Sequence, residues 1–190
     1  MTAVDATAKP LRSDARRNRD KIVAAARVAV AAAGGDTALE DVARAAGVGI
    51  GTLYRHFPTR TDLLEAVFLE EIDALTTQAE RLAAADEPGS ALEAWLRANL
   101  EFGSRGQCLG SSVLTAKKTE GTPANAAYGR MREAAAVLLA RAQASGAVRA
   151  DIDLTDVMRL VHGIVLVNAS APDPERQARM FDLVVAGIRT

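Results

Sequence analysis

Between Thr37 and Leu64 the chain reads TALEDVARAAGVGIGTLYRHFPTRTDLL, and no other stretch restricts the possible folds as much. Thr37 with Glu40 three residues later has the spacing of a capping box, in which a hydroxyl and a carboxylate satisfy the orphan N–H groups at a helix start. Leu39, Val42, Ala43 and Ala46 then recur at helical spacing and give one apolar face. Gly47 follows the last periodic residue, where a left-handed C-cap belongs, and Val48 is placed to plug the space beneath. A second short helix is expected to begin near Gly49 or Ile50 and to run to about His56, with Leu53 and Phe57 four residues apart and both facing inward. Pro58 ends it, because a proline ring excludes the helical conformation for the residue before it. Thr59 and Asp62 form another capping box and start a long helix. Two short helices joined by a glycine turn make a helix-turn-helix, whose second helix is sized for the DNA major groove.

The outward side of that second helix carries Ile50, Gly51, Thr52, Tyr54, Arg55 and His56. Gly51 lets a backbone come close to a partner. Thr52 can meet a thymine methyl or a base edge, and Arg55 can reach a guanine or a phosphate. Tyr54 and His56 can donate to phosphate oxygens, contacts that position a helix without reading sequence. Arg60 stands at a helix N-terminus, where free N–H groups and the helix dipole already favour an anion. Arg17, in the basic cluster of Arg12, Arg16, Arg17, Arg19 and Lys21, and Thr37 complete the candidate DNA contacts.

GVGIGTLYRHFPTRTDLLEAV, preceded by TALEDVARAAG, resembles the DNA-binding domain of the TetR family of transcriptional regulators. The likeness covers about the first third of the chain. It implies phosphate contacts for Tyr54, His56 and Arg60, with Ile50, Gly51, Thr52 and Arg55 on or beside the base-facing surface. Gly49 stands where the family often has Ser or Thr, and Val30 where it commonly has an aromatic.

Charge is distributed as such a head requires. The net charge is −1, but Lys9 to Arg60 holds ten Lys and Arg against five Asp and Glu, and the remainder from Thr61 holds thirteen against eighteen. A basic head on an acidic body confines nucleic-acid binding to one end. Residues 1–12 read as a basic arm, 13–58 as the helix-turn-helix domain and 59–190 as a ligand-binding and dimerisation domain.

An all-α chain of about nine helices is expected. The first runs from about Asp14 to Ala33, capped by Ser13 or Asp14, with Ile22, Val23, Ala26, Val30 and Ala33 inward. Then come the two short helices, a long one from Arg60 to Ala84, and Ala91–Phe102, broken by Gly103 and Gly106. Leu109–Lys118, Ala124–Ala144, Leu154–Ala169 and a last helix from Pro174 to about Ile188 complete the set. No period-two strand pattern persists, and no segment approaches the ~20 apolar residues of a membrane span. Without a signal-peptide pattern the expected compartment is the cytoplasm.

The last two helices are apolar over wide arcs, which calls for cover on two sides. Val161, Ile164, Val165, Met180, Phe181, Val184, Val185 and Ile188 are the candidate interface of a homodimer, the alternative being that they close their own core. Two-fold symmetry would set two recognition helices ~34 Å apart over a near-palindromic operator. A small-molecule effector site is expected among Trp95, Asn99, Phe102, Cys108, Ser112, Thr115, Tyr128, Met131, Met158 and His162, which mix apolar bulk with scattered polar handles. Two histidines and one cysteine, with no phosphate loop, zinc motif or nucleophile elbow, argue against an enzyme, a metal site or a cofactor. The expected function is a ligand-released repressor; a helical adaptor with a head that does not bind DNA is the alternative.

Overall fold

The computed structural model describes residues 8–33, 37–106, 119–169 and 172–190. These form eight helices: α1 (Ala8–Ala33), α2 (Leu39–Ala45), α3 (Ile50–His56), α4 (Arg60–Leu82), α5 (Pro88–Gly106), α6 (Pro123–Ala144), α7 (Leu154–Ala169) and α8 (Pro174–Ile188). The only β pairing among the described residues is one isolated antiparallel bridge between Val148 and Arg189. The expected helix Leu109–Lys118, the ninth, lies outside the described residues. By contacts the chain divides into two units, Met1–Val67 and Phe68–Thr190. The sequence reading put its boundary after Pro58, at the start of α4; the first turns of α4 instead belong with the head, where Leu63, Leu64 and Val67 are buried.

In the first unit α1, α2 and α3 pack on one another. Ile22, Val23, Ala26 and Val30 of α1 are buried, spaced to line one helical face. Val42, Ala43 and Ala46 answer from α2, Leu53 from α3, and Phe57 from the residue after it. Helix α1 begins at Ala8, not at Ser13 or Asp14, and so takes in part of the segment read as an arm. Pro10 is no obstacle there, since first-turn N–H groups have no intrahelical acceptor to lose.

In the second unit α5 packs against α6 and α7, and α7 against α8. Trp95 is fully buried and its indole N–H donates to the Leu75 carbonyl at 2.9 Å. Phe68 and Phe102 pack as a tilted ring pair, 5.8 Å between centroids. Helix α5 outruns the expected Ala91–Phe102 at both ends. Pro88 opens it, and Gly103 is a packing device, not a breaker: a Cβ there would lie 2.9 Å from Val165 Cγ2. The glycine is what lets α5 and α7 come this close.

Helix ends follow the local chemistry. Thr122 accepts from the Asn125 N–H at 3.1 Å, with Pro123 in the first helical position of α6, where a missing N–H costs nothing. Asp153 and Asp156 form a reciprocal box at the start of α7, 2.9 and 3.1 Å. Asp173 caps α8 by accepting from the Arg176 N–H at 2.9 Å. Accepting a backbone N–H stabilises the charged carboxylate. The Asp156 N–H therefore holds Asp153 below its ordinary value, and the Arg176 N–H does the same for Asp173. A depressed folded-state value means stability that is full above the unfolded value, about 3.9, and lost as pH falls through the folded one. The double variant Asp153→Ala/Asp173→Ala should therefore lower the thermal midpoint at neutral pH, and its deficit relative to the parent should shrink below about pH 4. Melting curves across pH check this; a deficit that grows on acidification contradicts it.

Candidate nucleic-acid interface

A helix of seven residues is too short to persist alone, so α3 exists because the head holds it. Leu53 is fully buried and Phe57 is 3% exposed; sequestering each is worth ~1.5–3 kcal/mol. The turn before α3 is a Schellman motif. Gly47 takes φ +67°, its N–H reaches the Arg44 carbonyl at 3.1 Å, and the Val48 N–H reaches the Ala43 carbonyl at 3.0 Å. Only glycine adopts that backbone without strain, so the turn that aims α3 is written into one residue. Gly49 precedes α3 in extended conformation and offers no side-chain cap. After α3 the Phe57 N–H closes on the Leu53 carbonyl at 2.8 Å. Thr59 and Asp62 then form the expected box: the Thr59 N–H and hydroxyl each donate to Asp62 Oδ2 at 2.8 Å, and the Asp62 N–H donates back at 3.2 Å.

What remains outward is the predicted face, with two qualifications. Ile50, Gly51, Tyr54 and Arg55 are exposed, while Thr52 and His56 are half-buried. Nothing lies within 4 Å of the position a Cβ would take on Gly51, so no packing within the head requires glycine there. Arg60 is half-buried and makes no ion pair among the described residues; the Asp62 carboxylate beside it is committed to Thr59.

Two candidates change role. Thr37 is not the cap of α2. That helix begins at Leu39 with Ala38 before it and no side-chain cap, and the half-buried Thr37 hydroxyl donates to the Ala29 carbonyl of α1 at 3.1 Å. That hydroxyl ties the turn back to α1. Arg17 is paired with Asp14 one turn before it. A residue the sequence did not single out takes a different position: the Arg19 guanidinium lies over the Phe57 ring, 5.4 Å from its centroid. Basic residues around it look alike in sequence, so no local signal marks Arg19.

The effector-site candidates are placed unevenly. Trp95, Phe102, Met131 and Met158 are core residues, buried with the rest of the second unit, and Tyr128 and His162 are half-buried. Cys108, Ser112 and Thr115 lie outside the described residues. Asn99 is 1% exposed, and its Oδ1 has no hydrogen-bond partner among the described residues. None of the described candidates lines a surface groove of about 490 Å³ walled by the loop entering α5, the turn after α6 and the end of α8.

The pairing candidates divide in the same way. Val161, Ile164, Val165, Phe181, Val185 and Ile188 are buried within their own chain, and Met180 and Val184 are half-buried. The six buried side chains belong to the subunit's own core, while Met180 and Val184 stay partly open. The apolar surface is the opposite stripe: Leu160, Leu166 and Val167 on α7 and Leu183 on α8, 50–73% exposed. Gly163 and Gly187 stand beside them with open space where a Cβ would be. A spacing of three, four and seven residues along α7 was the available signal.

A buried scaffold presenting a short polar helix after a glycine turn defines the head as a helix-turn-helix unit of the DNA-binding class. Comparison with known proteins makes the class specific. Residues 22–67 match the family described as bacterial regulatory proteins, tetR family, and residues 87–190 match the C-terminal domain of SbtR-like transcriptional regulators. The structure of the TetR transcriptional regulator SCO0520 from Streptomyces coelicolor is 35% identical, with a TM-score of 0.74 over 90% of this chain and 98% of that one. A TetR regulatory protein from Mycobacterium vanbaalenii is 30% identical, with a TM-score of 0.70 over 95% and 100%. Among curated relatives, the repressor KstR of Mycolicibacterium smegmatis is 38% identical over 77 residues, 40% of this chain and 38% of that protein. LfrR, a repressor of the same organism, is 36% identical over 95 residues, 50% of this chain and 49% of that protein. The matched stretch thus spans half or less of these curated relatives. The chain belongs to the TetR family of transcriptional regulators.

Proposed function

We propose that this protein is a sequence-specific transcriptional repressor that binds a near-palindromic operator as a homodimer and is released by a small-molecule effector. The observation that carries DNA binding is α3: a short helix with its apolar side buried, its outer face polar and cationic, and an unobstructed glycine at its start. Arg55, Thr52, Gly51 and Ile50 would meet base edges, and Tyr54, His56 and Arg60 would meet phosphates. The relatives' names as repressors support the direction of control.

The exposed apolar stripe on α7 and α8 supports pairing. Two helices from each subunit would make a four-helix interface, and Gly163 and Gly187 would let the backbones approach. Effector binding rests on Asn99. A buried amide oxygen without a partner costs stability and would be satisfied by a ligand hydroxyl or N–H. Helix α4 runs through the boundary between the two units, so it is the covalent path by which occupancy of the body would bias the head. A coupling of ~1–3 kcal/mol would weaken operator binding roughly 5–150-fold.

Nuclease protection of the DNA beside its own gene tests the reading. The expected result is a protected near-palindrome; equal binding to that DNA and to scrambled competitor overturns it. For the effector, operator affinity is compared with and without a compound that raises the melting temperature of the parent but not of Asn99→Leu. Equal operator affinities would end the release mechanism.

A further inference from the structure

We infer that Arg19, and not Arg17, is the residue by which α1 grips the DNA backbone, with the Phe57 ring as its platform. Both arginines belong to the same exposed run of α1, and the structure separates them. Arg17 pairs with the Asp14 carboxylate one turn before it, so part of its charge is already answered within α1. Arg19 makes no ion pair among the described residues and instead lies over Phe57 at 5.4 Å. A guanidinium stacked on a ring keeps its N–H donors in its own plane, pointing past the ring edge and open to an acceptor.

The location of the platform matters. Phe57 is the residue that ends the recognition helix, between His56 and the Pro58–Thr59–Arg60 corner that starts α4. When α3 lies in a groove, the residues at this corner meet the phosphates flanking it. Arg19 is therefore fixed at the same corner as Arg60, although the two are far apart in sequence. Burial of Phe57 at 3% exposure keeps the platform in place. Planar, bidentate recognition of a phosphate is the contact for which a guanidinium is suited.

This assignment rests on the reading that α3 binds DNA. The test uses the full-length protein and a labelled duplex carrying the sequence it protects beside its own gene, titrated between about 50 and 200 mM salt. Each phosphate contact contributes about 0.9 to the slope of log K against log salt. Arg19→Gln is expected to make the slope shallower by about two units for a dimer, and Arg17→Gln to leave it as in the parent. Arg19→Lys keeps the charge and is expected to keep the slope with reduced affinity. An affinity loss in Arg19→Gln that is the same at every salt concentration would show a prop for Phe57 and not a phosphate contact, and would overturn the assignment. So would an Arg17→Gln slope as shallow as that of Arg19→Gln, or a lysine variant as shallow as the glutamine one. A parent protein with no preference for its own upstream DNA removes the DNA-binding reading itself; a binding parent whose slope Arg19→Gln leaves unchanged removes only the role of Arg19.

Discussion

Replacing Arg55 with alanine is expected to weaken discrimination between the operator and unrelated duplex while the protein stays folded. Arg55 is exposed on α3 and makes no ion pair among the described residues, so its removal leaves no partner stranded. A guanidinium on a base edge is worth ~1–3 kcal/mol of discrimination. With two heads engaged in the proposed dimer, the expected loss is ~2–6 kcal/mol, roughly 30-fold to above 10⁴-fold. Arg60→Ala provides the contrast. It should weaken operator and unrelated DNA alike and make the salt slope shallower by about one unit per head. Anisotropy titrations on operator and scrambled duplex at several salt concentrations separate the two signatures. An Arg55→Ala protein that still prefers its operator as strongly as the parent would remove Arg55 from the reading surface.

Charging the apolar stripe of the body should separate the subunits without unfolding them. Leu160 is 50% exposed and Leu183 72% exposed, so Leu160→Glu with Leu183→Glu disturbs little inside the chain, and glutamate is a good helix former. Across a two-fold axis each new carboxylate would face its own copy in a surface that excludes water, an arrangement that like charges strongly disfavour. The expected outcome is a helical monomer by light scattering at micromolar concentration. Operator affinity should fall by about 10²–10⁴-fold, because the second head no longer binds at the high effective concentration that linkage provides. Val161→Ala is the control. Val161 is fully buried in its own chain, so truncating it should lower the melting temperature and leave the assembly dimeric. If the double glutamate variant remains dimeric, pairing uses another surface.

How much of this was legible in the residues depends on the range over which each feature is decided. The limits of α3 are legible to within a residue because backbone chemistry sets them within a few positions: Gly47 is left-handed, and Pro58 disfavours a helical conformation at Phe57. The Thr59–Asp62 box is of the same kind, as are the Asp153–Asp156 box, the Asp173 cap and the Thr122–Pro123 entry to α6 found in the structure. Each is a contact between near neighbours, and no distant residue competes strongly enough to override it.

Features that failed or stayed open depend on what lies across the core. Thr37 had the spacing of a cap, but the Ala29 carbonyl of α1, eight residues earlier, took its hydroxyl. Gly103 read as a breaker because a glycine in a helix usually weakens it; Val165, far along the chain, requires the missing Cβ. Asp14 stands at helical spacing from Arg17 in the sequence itself, but nothing local places the Phe57 ring beside Arg19. The wide apolar arcs of α7 and α8 announced two buried sides, yet periodicity could not say which side faces the chain's own core. Local pattern was enough for a helical chain with a helix-turn-helix head, because hydrogen bonds and dihedral limits act between neighbouring residues. The direction each apolar face takes, and which cation is held where, came from packing, in which the winning contact is decided by residues tens of positions away.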